Sequence, residues 1–430
     1  MEVHRMSNIP MKIGFSKSDI TPSPGVTLGG YAGYRPCSGT HDPLYCKVVV
    51  LEQEGLRYCL MVLDLVCVDE ALYRRIAKAV ATLGIEPQRL IVSAIHTHAS
   101  PQGVISGEGA LAKVNCSAEE GLPEFLAYME TVVHQAEATC RTAVESLEAF
   151  QVRTAKGSTP PVGSKRHTGE TPGGDLTVIQ FKTESNKLLT LYNFPCHPTV
   201  LGPDNSLASA DFVGGIEALL EGDMAMFLNS AAGDISTRFT RQESSFAECV
   251  RMGQIAAKHV QAALGDLPFV QPTPLKGIHA TVTLKPRPIV SVDIAEAELQ
   301  ERTAKWEAAK DAGADATSLR LLKTFVEGAW VNLEFAKSMV GIQQLDLPVT
   351  VFTFAGLEFA TIPGELFSTL QPDGLSIIAY ANGYFRYVCP KEAYEANHYE
   401  AMAAIVARGG GEKLIQEIQQ LRQQLQDNHS

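Results

Sequence analysis

Two histidines separated by one residue follow a short apolar run. Leu90–Ile95 is long enough for a buried strand, and His96-Thr97-His98 comes directly after it, before Pro101 breaks the pattern. Because side chains i and i+2 of a strand point to the same side, we expect both imidazoles to project together. Two neutral imidazoles on one side can chelate a transition metal such as Zn²⁺. The motif alone leaves this open, since both histidines could instead face solvent or bond to the backbone.

Polar residues follow apolar segments at four further places in the sequence, namely His197, the run 229–236, Glu365 and Tyr387. Each has an ordinary structural explanation: a buried histidine often bonds to the backbone, and Glu365 could be an exposed turn residue or lie in the first turn of a helix. As a set they indicate a common cavity, because open α/β sheets place their sites at the carboxyl ends of strands. Two histidines and one glutamate match the catalytic zinc pattern, which leaves a coordination position open.

Apolar periodicity predicts an α/β fold with mixed β-sheets flanked by helices. Strands are predicted at 11–22, 47–52, 57–68, 90–101, 149–156, 175–182, 187–194, 224–229, 275–284, 345–359 and 375–380. Helices are predicted at 70–84, 118–148, 212–222, 243–265, 290–340, 366–373 and 412–427. The segment 290–340 interrupts two strand regions, which indicates a helical insertion or lid.

Composition restricts the partners and the compartment. The net charge of −12 argues against nucleic acid and against an anionic membrane surface. No apolar run reaches the length of a transmembrane segment, and the N-terminus shows no signal peptide. The nine cysteines are scattered without a CxxC pair, which favours reduced thiols and a cytoplasmic location.

Several short motifs occur in a fixed order over roughly residues 12–405. They are Asp19-Ile20-Thr21-Pro22, Gly29-Gly30-Tyr31, His41-Asp42-Pro43-Leu44, His96-Thr97-His98-Ala99-Ser100-Pro101, Asn193-Phe194-Pro195-Cys196-His197-Pro198-Thr199, Gly233-Asp234-Ile235-Ser236, Ile362-Pro363-Gly364-Glu365, and Asn382-Gly383-Tyr384-Phe385-Arg386-Tyr387 through Tyr394 and Tyr399-Glu400. In this order they resemble the N-terminal catalytic domain of the neutral/alkaline (non-lysosomal) ceramidase family. The resemblance implies a ceramidase-like catalytic domain at 12–405, followed by a helical tail at 410–430. We expect that tail to pack on the body or on a partner subunit, which allows a homo-oligomer.

The resemblance also implies one zinc ion per chain and its ligands. Carried over by position, the ligands are His96, His197, Glu365 and Tyr387. A second tyrosine, Tyr399, matches the residue that contacts the region of the reacting carbonyl. It is also the alternative tyrosine ligand, because the segment between Glu365 and Tyr387 is short for the family.

Three further residues receive catalytic roles from the resemblance. His98 corresponds to a histidine beside the metal that stabilises the transition state, and Arg166 to an arginine of the substrate pocket. Ser236 matches the serine of the family motif G-D-x-S-P-N, although this chain reads Gly-Asp-Ile-Ser-Thr-Arg. The sequence does not decide whether water or Ser236 attacks. We favour water, since no His-Asp partner for Ser236 can be assigned.

The expected activity is zinc-dependent hydrolysis of a C–N amide bond, by attack of zinc-activated water on the carbonyl. Family members are longer, carry a C-terminal immunoglobulin-like domain and are usually secreted or membrane-facing. These differences favour a small-molecule or N-acyl amide that is soluble over ceramide. Two alternatives remain: a zinc-dependent esterase or deacylase acting on a carbohydrate or another small ester, and a non-catalytic binding protein with the same fold.

Overall fold

The computed structural model of the 430-residue chain describes residues 11–31, 33–105, 111–115, 119–173 and 175–427. The described strands are β1 (Met11–Asp19), β2 (Gly39–Thr40), β3 (Tyr45–Gln53), β4 (Leu56–Leu63), β5 (Leu90–Ala94), β6 (Glu148–Ser158), β7 (Ser164–Lys165), β8 (Asp175–Thr183), β9 (Leu188–Phe194), β10 (Leu207–Ala208), β11 (Met224–Asn229), β12 (Ile235–Ser236), β13 (Lys276–Leu284), β14 (Leu345–Phe354), β15 (Leu357–Thr361), β16 (Glu365–Leu366), β17 (Leu375–Ile378) and β18 (Tyr387–Val388). The described α-helices are α1 (Glu70–Val80), α2 (Ala112–Asn115), α3 (Pro123–Glu145), α4 (Phe212–Glu217), α5 (Phe246–Leu264), α6 (Val292–Asp311), α7 (Ala316–Ser338), α8 (Lys391–Glu395), α9 (Tyr399–Met402) and α10 (Gly410–Asp427). The predicted α/β class with mixed sheets is confirmed.

A mixed sheet of eight strands forms the centre of the fold, in the order β11-β9-β8-β6-β1-β3-β4-β5. Helices α3 and α5 pack against it, α3 on β1 and β3 and α5 on β6 and β8. A second sheet, in the order β13-β14-β15-β17, also packs against it, for example through the rings of Phe181 and Phe354. Strands β3 and β9 are buried along almost their whole length, which explains why their sequences are nearly continuous apolar runs.

The two edge strands of the large sheet, β5 and β11, meet near their C-terminal ends. The side chain of Asn229, the last residue of β11, donates to the carbonyl of Ile95 (3.2 Å). The segment 379–382, directly after β17, hydrogen bonds to both edges: Ala379 N–H donates to Asn229 O (2.9 Å), and the backbone and side chain of Asn382 bond to β5. We call this segment the seam. It occupies the free edge of β5 and joins the two sheets where the strands end.

The turns of the large sheet follow the sequence signals closely. The β3–β4 hairpin turns at Glu54 and Gly55, which have positive φ values of 54° and 77°. Helix α1 is capped by the Asp69 carboxylate and continues as a 3₁₀ turn to Gly84, where φ is 73°. The hairpin turn and the two ends of α1 agree with the prediction. Turn glycines and N-cap carboxylates determine the conformation of their immediate neighbours in sequence, so their effect can be predicted from the sequence.

The predicted helix at 366–373 is wrong. Glu365 and Leu366 form strand β16, which pairs with β18 about twenty residues later, and only a 3₁₀ turn, Ser368–Leu370, follows. Two other helices are shorter than predicted: α4 ends at Glu217 and α3 begins at Pro123. Residue 118, the first of the range predicted for α3, lies outside the described residues.

Helices α6 and α7 follow β13 and precede β14 in the sequence, and they pack against each other as an antiparallel pair. Their positions agree with the helical segment predicted over 290–340. Helix α10 packs on β13 and β14 with Leu414 and Ile418 buried, which matches the first of the two positions expected for the tail. In the described part of the chain, no helix combines the length and apolar character that a bilayer span requires.

A buried charged cluster lies between strand β3 and helix α4. The Lys47 ammonium, on β3, contacts Asp64 (2.9 Å) and Glu217 of α4 (2.7 Å), and the side chains of Lys47 and Asp64 are each only 1% exposed. Asp64 also accepts a hydrogen bond from the backbone N–H of Tyr45. Removing one member leaves an uncompensated buried charge, which costs far more than removing a surface pair.

Substituting Lys47→Met is expected to lower the free energy of unfolding by about 3–5 kcal/mol, because Asp64 and Glu217 then lose their counter-charge in the core. Urea unfolding followed by circular dichroism measures this change. The control is Arg74→Met, which removes an exposed i,i+4 pair with Glu70 and should cost roughly 0.5 kcal/mol or less. Equal effects for the two variants would contradict the role of the buried cluster.

Candidate metal centre and active site

His96 lies two residues beyond the end of β5 rather than in the strand itself. The strand ends at Ala94, and His96 has a left-handed φ of 71°. The period-two argument for His96 and His98 was therefore wrong, because His96 does not have the extended backbone of a strand. The two imidazoles are nevertheless together: His98 Nε2 lies 3.3 Å from His96 Nε2.

The backbone fixes the rings of two histidines in the same way. His96 Nδ1–H donates to the carbonyl of Val66 (2.6 Å), and His197 Nδ1–H donates to the carbonyl of Ile235 (2.9 Å). A carbonyl oxygen can only accept, so in both neutral rings the lone pair is on Nε2. In this arrangement Nδ1–H is hydrogen bonded to the backbone and the Nε2 lone pair is available to a metal, which is typical of metal-ligating histidines.

The carboxylate of Glu365 lies between these two rings. Its Oε2 is 3.0 Å from His197 Nε2 and 3.5 Å from His96 Nε2, and its Oε1 accepts a hydrogen bond from the Tyr384 hydroxyl (2.5 Å). Burial opposes ionisation of Glu365, but the neighbouring His96, His197 and Tyr384 lower the pKa of this carboxyl to about 2. Glu365 is therefore an ionised, buried carboxylate with one oxygen left for the centre of the cluster.

The donor set fits a bound cation. Burial lowers the pKa of His96 to about 3 and also lowers the pKa values of His98 and His197, so all three rings are neutral near pH 7. The Nε2 lone pairs of His96 and His197 and a carboxylate oxygen of Glu365 then face each other at close range inside the protein. A buried cation converts this repulsion into three coordinate bonds, and two His with one Glu is a common catalytic zinc set.

The two candidate tyrosine ligands take different positions. In the β16–β18 pair Tyr387 lies directly opposite Glu365, so the two side chains emerge from neighbouring strands at the same level. Tyr399 begins helix α9, and its ring centre is 6.2 Å from that of Tyr387. The register brings Tyr387 beside Glu365, and the Tyr399 ring packs edge-on against the Tyr387 ring.

Arg166 reaches the same region from the loop after β7. Its Nη1 donates to the Tyr387 hydroxyl (3.3 Å), to Gly233 O (3.2 Å) and to Glu400 Oε1 (3.1 Å). Ser236, on β12, is buried, and its backbone forms a bridge with His197. Among the described residues, neither a histidine nor a carboxylate hydrogen bonds to the Ser236 hydroxyl, which accepts only from the backbone N–H of Arg238.

Several residues support the site in ways that the sequence did not predict, although Asn229 lies in the candidate run 229–236. The ring of Tyr380, in the seam, stacks on His96 at 4.1 Å between centroids, and Asn229 donates to the carbonyls preceding both His96 and His197. At Gly30 a Cβ would lie 2.4 Å from the His98 ring. The sequence did contain one signal, the glycine pair 29–30, but nothing indicated that a histidine ring packs against it.

Comparisons with known proteins point to one family. The family model described as neutral/alkaline non-lysosomal ceramidase, N-terminal, matches residues 11–267, which include His96 and His197. Among curated protein sequences no match is found. A solved neutral ceramidase from Pseudomonas aeruginosa matches with a TM-score of 0.72 and 17% identity, over 96% of this chain and 74% of that chain. A structure described as ceramidase complexed with C2 matches with a TM-score of 0.72 and 15% identity, over 98% of this chain and 76% of that chain. At these identities the structural matches establish the shared fold.

The hydroxyl of Tyr384 orients Glu365, so Tyr384→Phe is expected to weaken Zn²⁺ binding by about 10- to 100-fold. Competition with a coloured zinc chelator measures the affinity. Tyr380→Phe is the matched control, because no described polar group partners the Tyr380 hydroxyl and the ring that stacks on His96 is kept. If both variants bind Zn²⁺ like the parent, Tyr384 does not orient the ligand.

Proposed function

Because the chain belongs to the neutral/alkaline non-lysosomal ceramidase family, we propose that it is a zinc-dependent hydrolase that cleaves a C–N amide bond. The observation that carries the proposal is the convergence of His96, His197 and Glu365, with the outer ring nitrogens of both histidines bonded to backbone carbonyls. The proposed ligands of one zinc per chain are these three residues and Tyr387. When bound, zinc acts as a Lewis acid on the substrate carbonyl and lowers the pKa of bound water toward about 7.

In this proposal His98 acts on the substrate and not on the metal. Its Nε2 faces the same space as the ligands, but its Nδ1 has no hydrogen-bond partner among the described residues. His98 therefore lacks the backbone bond that fixes the rings of His96 and His197. In this proposal an N–H of its ring donates to the oxygen on which negative charge develops, a contribution worth about 3 kcal/mol.

Arg166 and Tyr399 complete the proposed pocket. Arg166 holds the Tyr387 hydroxyl and keeps a positive charge beside the ligand set, where it can also contact a polar group of the substrate. The ring of Tyr399 packs against that of Tyr387, and its proposed role is to contact the carbonyl region of the substrate. Water is the proposed nucleophile, because Ser236 lacks a basic partner among the described residues and its hydroxyl is engaged by a backbone N–H.

The proposed substrate is a soluble N-acyl amide, and the proposed compartment is the cytoplasm. A net charge of −12 disfavours docking on an anionic membrane surface, where a lipid amide would be found. The eight cysteines in the described part of the chain are all free and buried, which suits a reducing compartment.

A substrate panel tests the proposed reaction. Purified chain loaded with Zn²⁺ is incubated with soluble N-acyl amides of increasing chain length, the matching esters, and ceramide in detergent. We expect release of amine from the amides, loss of activity after chelation and recovery with added Zn²⁺. Cleavage of the esters alone, or full activity after chelation, would contradict it.

The proposed roles of His96 and His98 predict different outcomes for their variants. His96→Ala should lose the metal and the activity, whereas His98→Ala should keep the metal and lose about 10²–10³ in kcat. Metal content by mass spectrometry and steady-state kinetics distinguish the two, with His134→Ala, an exposed histidine of α3, as the control. Loss of metal from His98→Ala would show that His98 is itself a ligand.

A further inference from the structure

A second group of metal-ligating side chains lies on the far side of Arg166. It consists of His167, next to Arg166 in the chain, with His398 and Glu400 from the segment around α9. One potential ligand atom from each of the three lies within 4.8 Å of the others. We call this group the outer cluster. It shares no residue with the set formed by His96, His197 and Glu365.

The outer cluster repeats the arrangement of the first set. In each, one carboxylate oxygen is occupied by a hydrogen-bond donor and the other faces a histidine. Glu365 Oε1 is held by Tyr384, and Glu400 Oε1 is held by Arg166 (3.1 Å). The remaining oxygen, Glu400 Oε2, lies 2.9 Å from His167 Nε2, much as Glu365 Oε2 lies 3.0 Å from His197 Nε2. The donor set is again two imidazoles and one carboxylate.

The protonation states suit a metal ligand set. Burial opposes ionisation of Glu400, but His167 and Arg166 lower the pKa of this carboxyl to about 2. Burial and the neighbouring His167 lower the pKa of His398, so this ring is neutral near pH 7. An anionic oxygen and a neutral imidazole are the forms that bind a divalent transition metal.

A purely structural role explains only part of the cluster. As a tether for Arg166, Glu400 needs its contact with the guanidinium, and His167 adds a second hydrogen bond to the carboxylate. His398 adds nothing to such a tether. Its ring stacks on His167 at 3.5 Å with 8° between the planes, and its buried Nδ1 has no partner among the described residues. A buried ring nitrogen without a partner is costly unless something binds it.

We propose that the outer cluster binds a second divalent transition-metal ion of the zinc or cobalt class, through His167, His398 and Glu400. His167 is exposed, so an ion can enter from solvent and keep water in its remaining coordination positions. The stacked rings are parallel, and a shared ion therefore requires the exposed His167 ring to rotate about its side-chain bonds. This site shares none of its ligands with the proposed zinc site for amide hydrolysis.

Metal stoichiometry tests the outer cluster directly. The purified full chain is stripped with a chelator, dialysed against Zn²⁺ or Co²⁺ together with a weak competing chelator, and analysed for metal per chain. We expect about two ions per parent chain, about one in His398→Gln, about one in His96→Gln, and none in the double variant. Co²⁺ absorption spectra of the single variants should differ, because each retains a different site.

The controls separate a failed fold from a failed proposal. His134→Gln removes an exposed histidine of α3 and should retain both ions, and thermal unfolding should show that His398→Gln folds like the parent. Parent protein that binds a single ion, lost in His96→Gln and kept in His398→Gln, would overturn the outer cluster as a metal site. A single ion that is lost in His398→Gln and kept in His96→Gln would instead count against the first ligand set.

Discussion

The site depends on a carboxylate that is held, ionised, in the interior of the protein. An isolated buried carboxylate is costly, and the side chain of Glu365 is only 3% exposed. One hydroxyl, from Tyr384, satisfies one oxygen, while the other oxygen faces two imidazoles whose own protons are bonded elsewhere. Such a group of electron-pair donors is stable only with a positive charge among them. The structure is therefore arranged around a cation binding position, and the surrounding elements keep the donors from turning away.

Those elements come from both edges of the large sheet and from the smaller one. His96 follows edge strand β5, His197 follows β9 beside the other edge strand, and Glu365 follows β15 of the second sheet. Asn229 ties the first two together by donating to the carbonyls that precede each histidine. The seam then joins both edges to β17. The relative positions of His96, His197 and Glu365 thus come from hydrogen bonds between strand ends, which include those of the Asn229 side chain.

The sequence predicted the components of the site better than their geometry. His96, His98, His197 and Glu365 could be selected because ligand residue types follow apolar runs in a family-like order. The strand argument for His96 and His98 was wrong, since a left-handed φ at His96 leaves no signal in the residue type. The helix expected at 366–373 was wrong for a related reason: the pairing of Glu365 with Tyr387 is a contact between distant residues, and it overrides local preference. Tyr384 was in a recognised motif, but its bond to Glu365 depends on that same long-range pairing.

The outer cluster could not be predicted, because His167 and His398 are more than two hundred residues apart in sequence.

The seam has a consequence for how the protein is made. A nascent chain leaves the ribosome from its N-terminus, so the segment containing His96 and His197 emerges long before residues 379–382 exist. Until then the edge of β5 has no covering strand and the two histidines lack their carboxylate. Synthesis of the final quarter of the chain both protects that edge and completes the ligand set. The proposed ligand set therefore exists only in a chain synthesised past residue 387, and a chain that stops earlier exposes an unpaired strand edge.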